Sequence, residues 1–434
     1  MKSETKQKII WSGGLIALAA LFAIWCRNNT TSNAGYAAAF VSVCLFGALC
    51  LRFVPLWFKA WSGGERELAD SEHEPAGTYA RIFFSVLLWD VVLIIIVTAV
   101  RALAGESISL EFWRCTDSQH YLAIAEDWYL SEGSIDRLVQ LVFLPGYPIA
   151  VRLVTYLVGN YLLSGMLVSA LCFAGAACVF YKLMRLDMPR EKALRALVFM
   201  CIFPGAFFYA SPMSESLFLL LSLCCVYSAR RGKFLTACIL GALAAFTRSV
   251  GLALAVTVLF ELAAQRKKLK YWLSLAIIPL GFAAYCYINY TVSGDAFKFM
   301  EYQQEHWNQS FGLFFNTAAY QTDCALDALA KTPKNFWGLW LPNLIALFGG
   351  TAIMLAGEKK IRTSFTAYFI AYYFVAMGAT WLLSAPRYLL VMFPVSAALA
   401  NVTEKRGAQV IAYASCLIFG LGYLTAFALR WQVW

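Results

Sequence analysis

Between two strongly apolar stretches of the chain lies the segment Trp113-Arg-Cys-Thr-Asp-Ser-Gln-His-Tyr-Leu-Ala-Ile-Ala-Glu-Asp-Trp-Tyr129. It places the carboxylate of Asp117 close to His120 and to several aromatic side chains. A carboxylate at the edge of a bilayer costs free energy unless water or a partner satisfies it. An acid in such a place is therefore a candidate catalytic group.

The composition of the 434-residue chain predicts a membrane protein. Hydrophobic residues make up 61% of it and charged residues only 14%, against about 25% charged residues in a soluble globular protein. The mean hydropathy is +0.65. Apolar runs close to the ~20 residues that a helix needs to cross a bilayer recur along the whole chain. The sequence therefore predicts an all-α polytopic membrane protein.

Lysine and arginine clusters set the predicted orientation, because these residues accumulate in cytoplasmic loops. The clusters and the amino terminus all face the cytoplasm if about thirteen helices cross the membrane. The net charge of +10 then requires no nucleic-acid partner, since basic flanks contact anionic membrane lipids. The first helix is expected to be retained, with a cleaved signal peptide as the alternative. The predicted helices cover 9–26, 36–53, 82–103, 160–183, 194–210, 215–229, 234–249, 250–264, 271–290, 336–357, 363–383, 388–402 and 408–428.

The domain organisation is predicted from an acidic stretch, Gly63–Ala80, which carries five acidic residues. Residues 1–58 are predicted to form a two-helix membrane extension, and 59–80 a cytoplasmic acidic linker. Residues 81–434 are predicted to form the transmembrane catalytic domain.

Two segments on the outer side, 104–160 and 291–335, are long enough to fold. Their aromatic residues alternate with polar ones, which is typical of the headgroup level of a membrane. Both are predicted to contain short helices that lie on the membrane surface. In the second segment the spacing of Phe297, Met300 and Trp307 is helical.

The unusual polar residues at helix ends all fall on the outer side of this topology. They are Asp117, Glu215, Arg248 and Arg387, with His120 beside the first of them. Two arginines and two carboxylates at one face of the membrane can bind a phosphate group and activate a hydroxyl group. The alternative is that the pairs Glu215–Arg248 and Asp117–Arg387 are structural ion pairs between helix ends.

The order of motifs resembles that of the PIG-V-like mannosyltransferases, which are integral-membrane glycosyltransferases of the GT-C type. The resemblance covers roughly residues 85–405. Thr116 stands where the family has Trp, Asp127-Trp128 where it has Gly before the Tyr, and Gly146 where it has a bulky residue. The matching motifs are Asp117-x-x-His-Tyr-Leu-x-Ile-Ala125, Phe143-Leu-Pro-Gly-Tyr-Pro148, Met213-Ser-Glu-Ser-Leu-Phe218, Thr247-Arg-Ser-Val-Gly251, Gly294-Asp-Ala-Phe-Lys-Phe299 and Arg387-Tyr-Leu389.

The resemblance implies a GT-C-like fold and a polyprenyl-phosphate sugar donor that is used away from the cytoplasm. The implied reaction is an inverting transfer of a hexose, with mannose favoured, in which Asp117 is the general base. The residues expected at the donor phosphate are Arg248, Arg387, His120 and Lys298. For His120 the alternative is a packed, hydrogen-bonded histidine, and for Lys298 it is an interfacial lysine that extends to water. The residues expected to contact sugar or acceptor are Glu215, Tyr121, Trp128 and Tyr388, and interfacial packing is the alternative for the last two.

The predicted acceptor is a lipid or a cell-envelope glycan, and no cofactor or metal is expected. The predicted location is the membrane, with a bacterial cell membrane favoured and the active site extracytoplasmic. The alternative function is a transporter or flippase of lipid-linked sugars, which would also need charged groups within the membrane. A transporter should hold them near the midplane of the membrane.

Overall fold

The computed structural model describes residues 2–62, 74–129 and 139–433, and most of these residues are helical. Most of the predicted acidic linker, residues 63–73, lies outside the described residues. The α-helices are α1 (Lys2–Asn28), α2 (Asn33–Trp61), α3 (Thr78–Leu103), α4 (Ser118–Asp127), α5 (Gly146–Val158), α6 (Tyr161–Met184), α7 (Arg190–Ile202), α8 (Glu215–Arg230), α9 (Phe234–Thr247), α10 (Leu254–Ala264), α11 (Leu269–Trp272), α12 (Ile278–Ser293), α13 (Lys298–Trp307), α14 (Phe314–Lys331), α15 (Pro333–Asn335), α16 (Leu341–Gly357), α17 (Thr363–Ala376), α18 (Ala385–Leu390), α19 (Pro394–Val402) and α20 (Arg406–Ala428).

The all-helical fold that the sequence predicted is confirmed, although the number of membrane crossings is not. Each predicted span overlaps helical residues. Six helical stretches of the described chain are long and apolar enough to cross a membrane. The other predicted spans coincide with shorter helices, so thirteen crossings stay a prediction. The six long stretches are Asn33–Trp61, Thr78–Leu103, Tyr161–Met184, Leu269–Ser293, Pro333–Lys360 and Arg406–Ala428.

Two predicted helices are interrupted where proline and glycine residues occur. The span predicted at 194–210 ends as an α-helix at Ile202, and the chain turns at Gly205 with φ +94° before a short 3-10 segment. The span predicted at 388–402 is divided into α18 and α19, and Pro394 begins the second of them. A proline has no N–H to continue a helix, and glycine tolerates positive φ without steric strain. The prediction of two continuous spans was therefore wrong.

The centre of the bundle is α8, which packs against α6 on one side and α9 on the other. The amino-terminal helices also contact the rest of the protein, because α2 packs against α14, α16 and α17. The guanidinium of Arg52 donates to the carbonyl of Leu355 at 3.0 Å, and the indole of Trp25 donates to Asn316 at 3.2 Å. The division of the chain into an extension, a linker and a catalytic domain stays a prediction.

The two segments predicted to lie outside the membrane contain short helices. The first holds α4 and α5, and the second holds α13 and α14. On α5 the side chains of Tyr156 and Leu157 are 80% and 90% exposed. On α13 Tyr302 is buried while Met300 is exposed. Exposed apolar side chains on short helices suit contact with a lipid surface.

Candidate active site

Four charged side chains that are remote in sequence meet at one end of the bundle. Asp117 directly precedes α4, and Glu215 is the first residue of α8. Arg248 directly follows α9, and Arg387 lies in the first turn of α18. We call this group the Asp117 cluster. Each member stands at or next to the start or end of a helix, where the chain can direct a charged side chain away from the apolar bundle.

Two glycines allow the close packing that places Arg248. Its backbone is extended (φ −148°, ψ 132°) between α9 and a 3-10 turn. A Cβ on Gly251 would come within 2.5 Å of the backbone nitrogen of Ala245. A Cβ on Gly146 would come within 2.4 Å of the hydroxyl of Thr247. The departure from the family pattern at Gly146 therefore lets the start of α5 pack directly on the residue before Arg248.

Arg387 connects the two acids of the Asp117 cluster. Its Nη1 donates to Oδ2 of Asp117 at 2.7 Å. Its Nε and Nη2 donate to Oε1 of Glu215 at 3.0 and 2.7 Å. Arg248 donates from Nη1 to the same Glu215 oxygen at 2.7 Å. Both ion pairs that the structural alternative named, Glu215–Arg248 and Asp117–Arg387, are thus present.

The members of the cluster differ in burial. The side chain of Glu215 is fully buried and that of Arg387 is 3% exposed, whereas that of Asp117 is 32% exposed. A buried charge must be paired with an opposite charge and hydrogen-bonded. Glu215 fulfils this requirement with two arginines on one oxygen. Its other oxygen, Oε2, has no hydrogen-bond partner among the described residues.

Aromatic rings limit where the two guanidinium groups can move. The Cζ atom of Arg387 lies 5.2 Å from the ring centre of Phe208. That of Arg248 lies 5.6 Å from the ring centre of Tyr388. Planar guanidinium groups stack on such rings and remain able to donate hydrogen bonds at their edges. Within the described part of the chain, no residue accepts a hydrogen bond from Nε or Nη2 of Arg248.

Ser214 and Phe208 belong to this site and were missed by the sequence analysis. The hydroxyl of Ser214 accepts from Nη1 of Arg248 at 3.2 Å and lies 2.9 Å from the hydroxyl of Tyr121. Ser214 directly precedes Glu215 in the motif Met213-Ser-Glu-Ser, and this position in the sequence could have identified it as a site residue. For Phe208 the sequence carries no such signal, because its contact with Arg387 depends on how distant helices pack.

The segment that contains three of the four charged residues is similar to a known protein family. Residues 85–277 match the family Mannosyltransferase (PIG-V). The family resemblance predicted from the ordered motifs is thereby confirmed. Asp117, Glu215 and Arg248 lie within the matched segment, and Arg387 lies outside it.

The chain is also similar to curated mannosyltransferases. It is 33% identical over 165 residues to GPI alpha-1,6-mannosyltransferase 2 of Rattus norvegicus, over 35% of this chain and 31% of that protein. It is 34% identical over 148 residues to the protein of the same name in Homo sapiens, over 31% of this chain and 29% of that protein. The matches thus span less than a third of the length of these relatives.

A solved structure supports the predicted GT-C-like fold. The crystal structure of ArnT from Cupriavidus metallidurans bound to undecaprenyl phosphate superimposes with a TM-score of 0.50. The alignment covers 82% of this chain and 76% of ArnT, at 14% sequence identity. At this identity the likeness concerns the fold alone, and it extends far beyond the segment matched by the PIG-V family.

The other residues predicted at the site make contacts of their own. The His120 ring stacks on Phe143, with ring centres 4.7 Å apart. Trp128 ends α4 with φ +65° and packs against Tyr129. Lys298 donates to Glu301 in the same helix at 2.6 Å. This hydrogen bond raises the pKa of Lys298 above its ordinary value. None of these contacts is with the Asp117 cluster.

A metal site was not expected from the sequence. In the described ranges, no group of three or more His, Cys, Asp or Glu side chains lies close enough together to hold a metal ion. The acids of the Asp117 cluster are instead paired with guanidinium groups.

Proposed function

We propose that this protein transfers a hexose, with mannose as the first choice, from a polyprenyl-phosphate sugar to a hydroxyl group of a lipid or cell-envelope acceptor. The mannosyltransferase names of its PIG-V relatives support the reaction class. The undecaprenyl phosphate bound to ArnT, which shares the fold, supports a donor on a prenyl lipid. Because the matches span less than a third of the relatives' length, the activity of those relatives applies to this chain only as a proposal.

The observation that carries the proposal is that one guanidinium, Arg387, contacts both acids while Arg248 retains unused donors. Asp117 is the more exposed acid, and only its Oδ2 is held by Arg387 at 2.7 Å. Among the residues described, none hydrogen-bonds its Oδ1. A partly exposed carboxylate oxygen, on an acid whose other oxygen is held by Arg387, suits a general base next to a site for a phosphate group.

The chemical step follows from this arrangement. The acceptor hydroxyl attacks the anomeric carbon of the donor, and its proton passes to Asp117 as the new C–O bond forms. The bond between the anomeric carbon and the phosphate oxygen breaks, and its electron pair remains on the prenyl phosphate. A phosphate leaves as a stabilised anion, so this step needs no strong general acid. Attack opposite to the leaving group inverts the anomeric configuration.

The arginines have the complementary role at the leaving group. A planar guanidinium can donate two parallel hydrogen bonds to phosphate oxygens. Arg248 has Nε and Nη2 available for this, because only its Nη1 is used by Ser214 and Glu215. Glu215 then positions both arginines and is not itself the base. Lys298 and His120 stay proposals for the phosphate, and Tyr121, Trp128 and Tyr388 for the sugar or acceptor.

The proposed location is a multi-pass membrane protein with the Asp117 cluster on the extracytoplasmic side. A bacterial cell membrane remains the favoured membrane, and the mammalian relatives do not address this point. Cysteine labelling tests the side. Gln119 is exposed next to the cluster, and Lys268 is exposed in a predicted cytoplasmic loop. Gln119→Cys and Lys268→Cys should be labelled from opposite sides, and labelling from one side would contradict the topology.

The decisive experiment is the substitution Asp117→Asn in the purified protein. With a polyprenyl-phosphate mannose donor and a glycolipid acceptor, transfer should fall by about a thousandfold, because a general base contributes roughly 10²–10⁴ in rate. Binding of the donor should be retained. The matched control is Asp187→Asn, which removes an acid paired with Arg230 at the other end of α8. Unchanged transfer in Asp117→Asn would remove Asp117 as the base.

A further inference from the structure

A second polar site lies at the end of the bundle opposite the Asp117 cluster. There a cavity of about 360 Å³ opens between the carboxyl ends of α16 and α19 and the start of α20. Its walls include Lys360, Asn401, Glu404, Lys405 and Ala408. The proposed glycosyl transfer makes no use of these residues.

The charges around this cavity are predominantly positive. The carboxylate of Glu404 accepts hydrogen bonds from Lys192 at 2.8 Å and from Lys360 at 2.9 Å. One negative charge is thus shared by two lysines. Lys405 is exposed and makes no ion pair with any described residue. The wall itself holds two lysines, Lys360 and Lys405, against one carboxylate, Glu404, so its net charge is positive and favours an anion.

The start of α20 adds donors to the cavity. The helix follows Lys405 without a side-chain cap, and its first turn contains no acidic residue. The first N–H groups of a helix have no partner within the helix, and the helix dipole favours an anion there. Ala408 in this first turn lines the cavity. Backbone donors and lysine side chains therefore face the same space.

Asn401 supplies the observation that defines the ligand more closely. Its side chain is in the cavity wall, and the residue is only 4% exposed. Its Nδ2 lies 3.4 Å from the carbonyl of Gly357, while its Oδ1 has no hydrogen-bond partner among the described residues. A buried acceptor without a partner costs free energy. A ligand with a hydroxyl group beside its anionic group would satisfy this oxygen if the amide turned it towards the cavity.

We infer that this cavity binds a phosphate-bearing anion that carries a neighbouring hydroxyl group, supplied by the headgroup of an anionic phospholipid. The position favours a lipid as the source, because α16 and α20 both belong to stretches that can cross a membrane. The second turn of α20, near the cavity, also exposes Val410 and Ile411, at 59% and 69%. Basic pockets between transmembrane helices are suited to anionic headgroups.

The test uses the full chain, purified in detergent, and native mass spectrometry of bound lipid. Phosphatidylglycerol, which has hydroxyl groups next to its phosphate, should be retained in preference to phosphatidylcholine. Lys405→Gln should weaken this retention by about fivefold, since one lysine near a phosphate contributes on that order. Glu404→Gln should strengthen it, because it removes the negative charge from the wall. Lys268→Gln, at an exposed lysine elsewhere, is the control and should change nothing.

A second measurement identifies the source of the phosphate and does not depend on transfer activity. Thermal unfolding is followed with added inorganic phosphate or with phosphatidylglycerol. Stabilisation by the lipid that is lost in Lys405→Gln supports the inference. Equal stabilisation by inorganic phosphate, also lost in Lys405→Gln, would keep the anion site and overturn the lipid as its source. No preference for phosphatidylglycerol together with no effect of Lys405→Gln would overturn the site itself.

Discussion

Two clusters of the same composition, each with two arginines and two carboxylates, lie at opposite ends of α8. The Asp117 cluster surrounds Glu215 at the start of the helix. The second, which we call the Glu261 cluster, surrounds Arg230 at its end, about 22 Å away at 1.5 Å per residue. It consists of Asp187, Arg230, Glu261 and Arg362.

The two clusters differ in how the arginine donors are used. In the Glu261 cluster, Arg230 forms two hydrogen bonds to Asp187 at 2.5 and 2.8 Å. Arg362 forms two to Glu261 at 2.9 and 3.0 Å, and Ser364 adds a third. Each arginine is thus held by two hydrogen bonds to its own carboxylate, and the remaining Nε of Arg230 is buried, without a hydrogen-bond partner among the described residues. In the Asp117 cluster both arginines share one oxygen, and donors of Arg248 remain available. The same residue types therefore stabilise the fold at one end and suit ligand binding at the other.

The largest expected effect is on stability, at the Glu261 cluster. Glu261→Gln leaves Arg362 buried without its carboxylate and removes the 3.9 Å ion pair between Glu261 and Arg230. Breaking a buried ion pair from one side costs about 3–5 kcal/mol. Thermal unfolding in detergent should show a large loss of stability, while the fraction that remains folded should transfer sugar at the normal rate. A normal melting temperature would show that the two clusters do not differ as described.

The next effect concerns the unused donors of Arg248. Arg248→Lys keeps the charge but removes the planar fork. Transfer should fall by about tenfold to a hundredfold, because hydrogen bonds to charged groups contribute about 1.5–3 kcal/mol. The matched variant Arg362→Lys should lower stability and leave transfer by the folded protein unchanged. An equal loss of transfer in both variants would contradict the division of roles.

A smaller effect is expected at the two serines that accompany the clusters. Ser214→Ala removes a hydroxyl that contacts Arg248 and Tyr121, and about 1 kcal/mol per hydrogen bond predicts a loss of transfer of roughly fivefold. Ser364→Ala removes the hydroxyl that donates to Glu261 at 2.6 Å. It should change the melting temperature only. A loss of transfer at an unchanged melting temperature indicates that the serine positions the site. A changed melting temperature at an unchanged rate of transfer indicates that the serine only stabilises the fold.

The smallest effect is expected at an exposed ion pair near the Glu261 cluster. Hydrogen bonds from Lys192 and Lys360 lower the pKa of Glu404 to about 2. A lowered pKa stabilises the fold above the ordinary pKa of Glu, about 4.3, and this contribution is lost as the pH falls towards 2. Because Glu404 is exposed, water and salt screen the interaction. Glu404→Gln should therefore barely change unfolding at pH 7, and a large change would contradict the contrast with Glu261.

The sequence predicted all four members of the Asp117 cluster, because each member departs from its surroundings. They are charged residues at the ends of apolar stretches, where an unpaired charge costs free energy. The four residues are Asp117, Glu215, Arg248 and Arg387. The order of the motifs around them then resembled that of one family. Ser214 could not be distinguished from other serines in the same way, since a hydroxyl group is ordinary near a helix end.

The same reasoning missed the Glu261 cluster. Arg230 and Arg362 belong to basic loop segments that the topology already explained, and Asp187 lies beside one of them. Glu261 lies inside a predicted span with no motif around it. Whether such residues pair depends on the packing of α10 against α8 and α17, and no local pattern reports that packing.

The sequence by itself determined that this is an all-helical membrane protein, where its apolar stretches lie and which charged residues are exceptional. These properties depend on composition and spacing, which act along the chain. Only the tertiary structure decided which charge meets which, that Arg387 contacts two acids at once, and that two donor atoms of Arg248 have no acceptor among the described residues. Those contacts join residues up to 270 positions apart, such as Arg387 and Asp117, and they form only when the helix ends are brought together by packing.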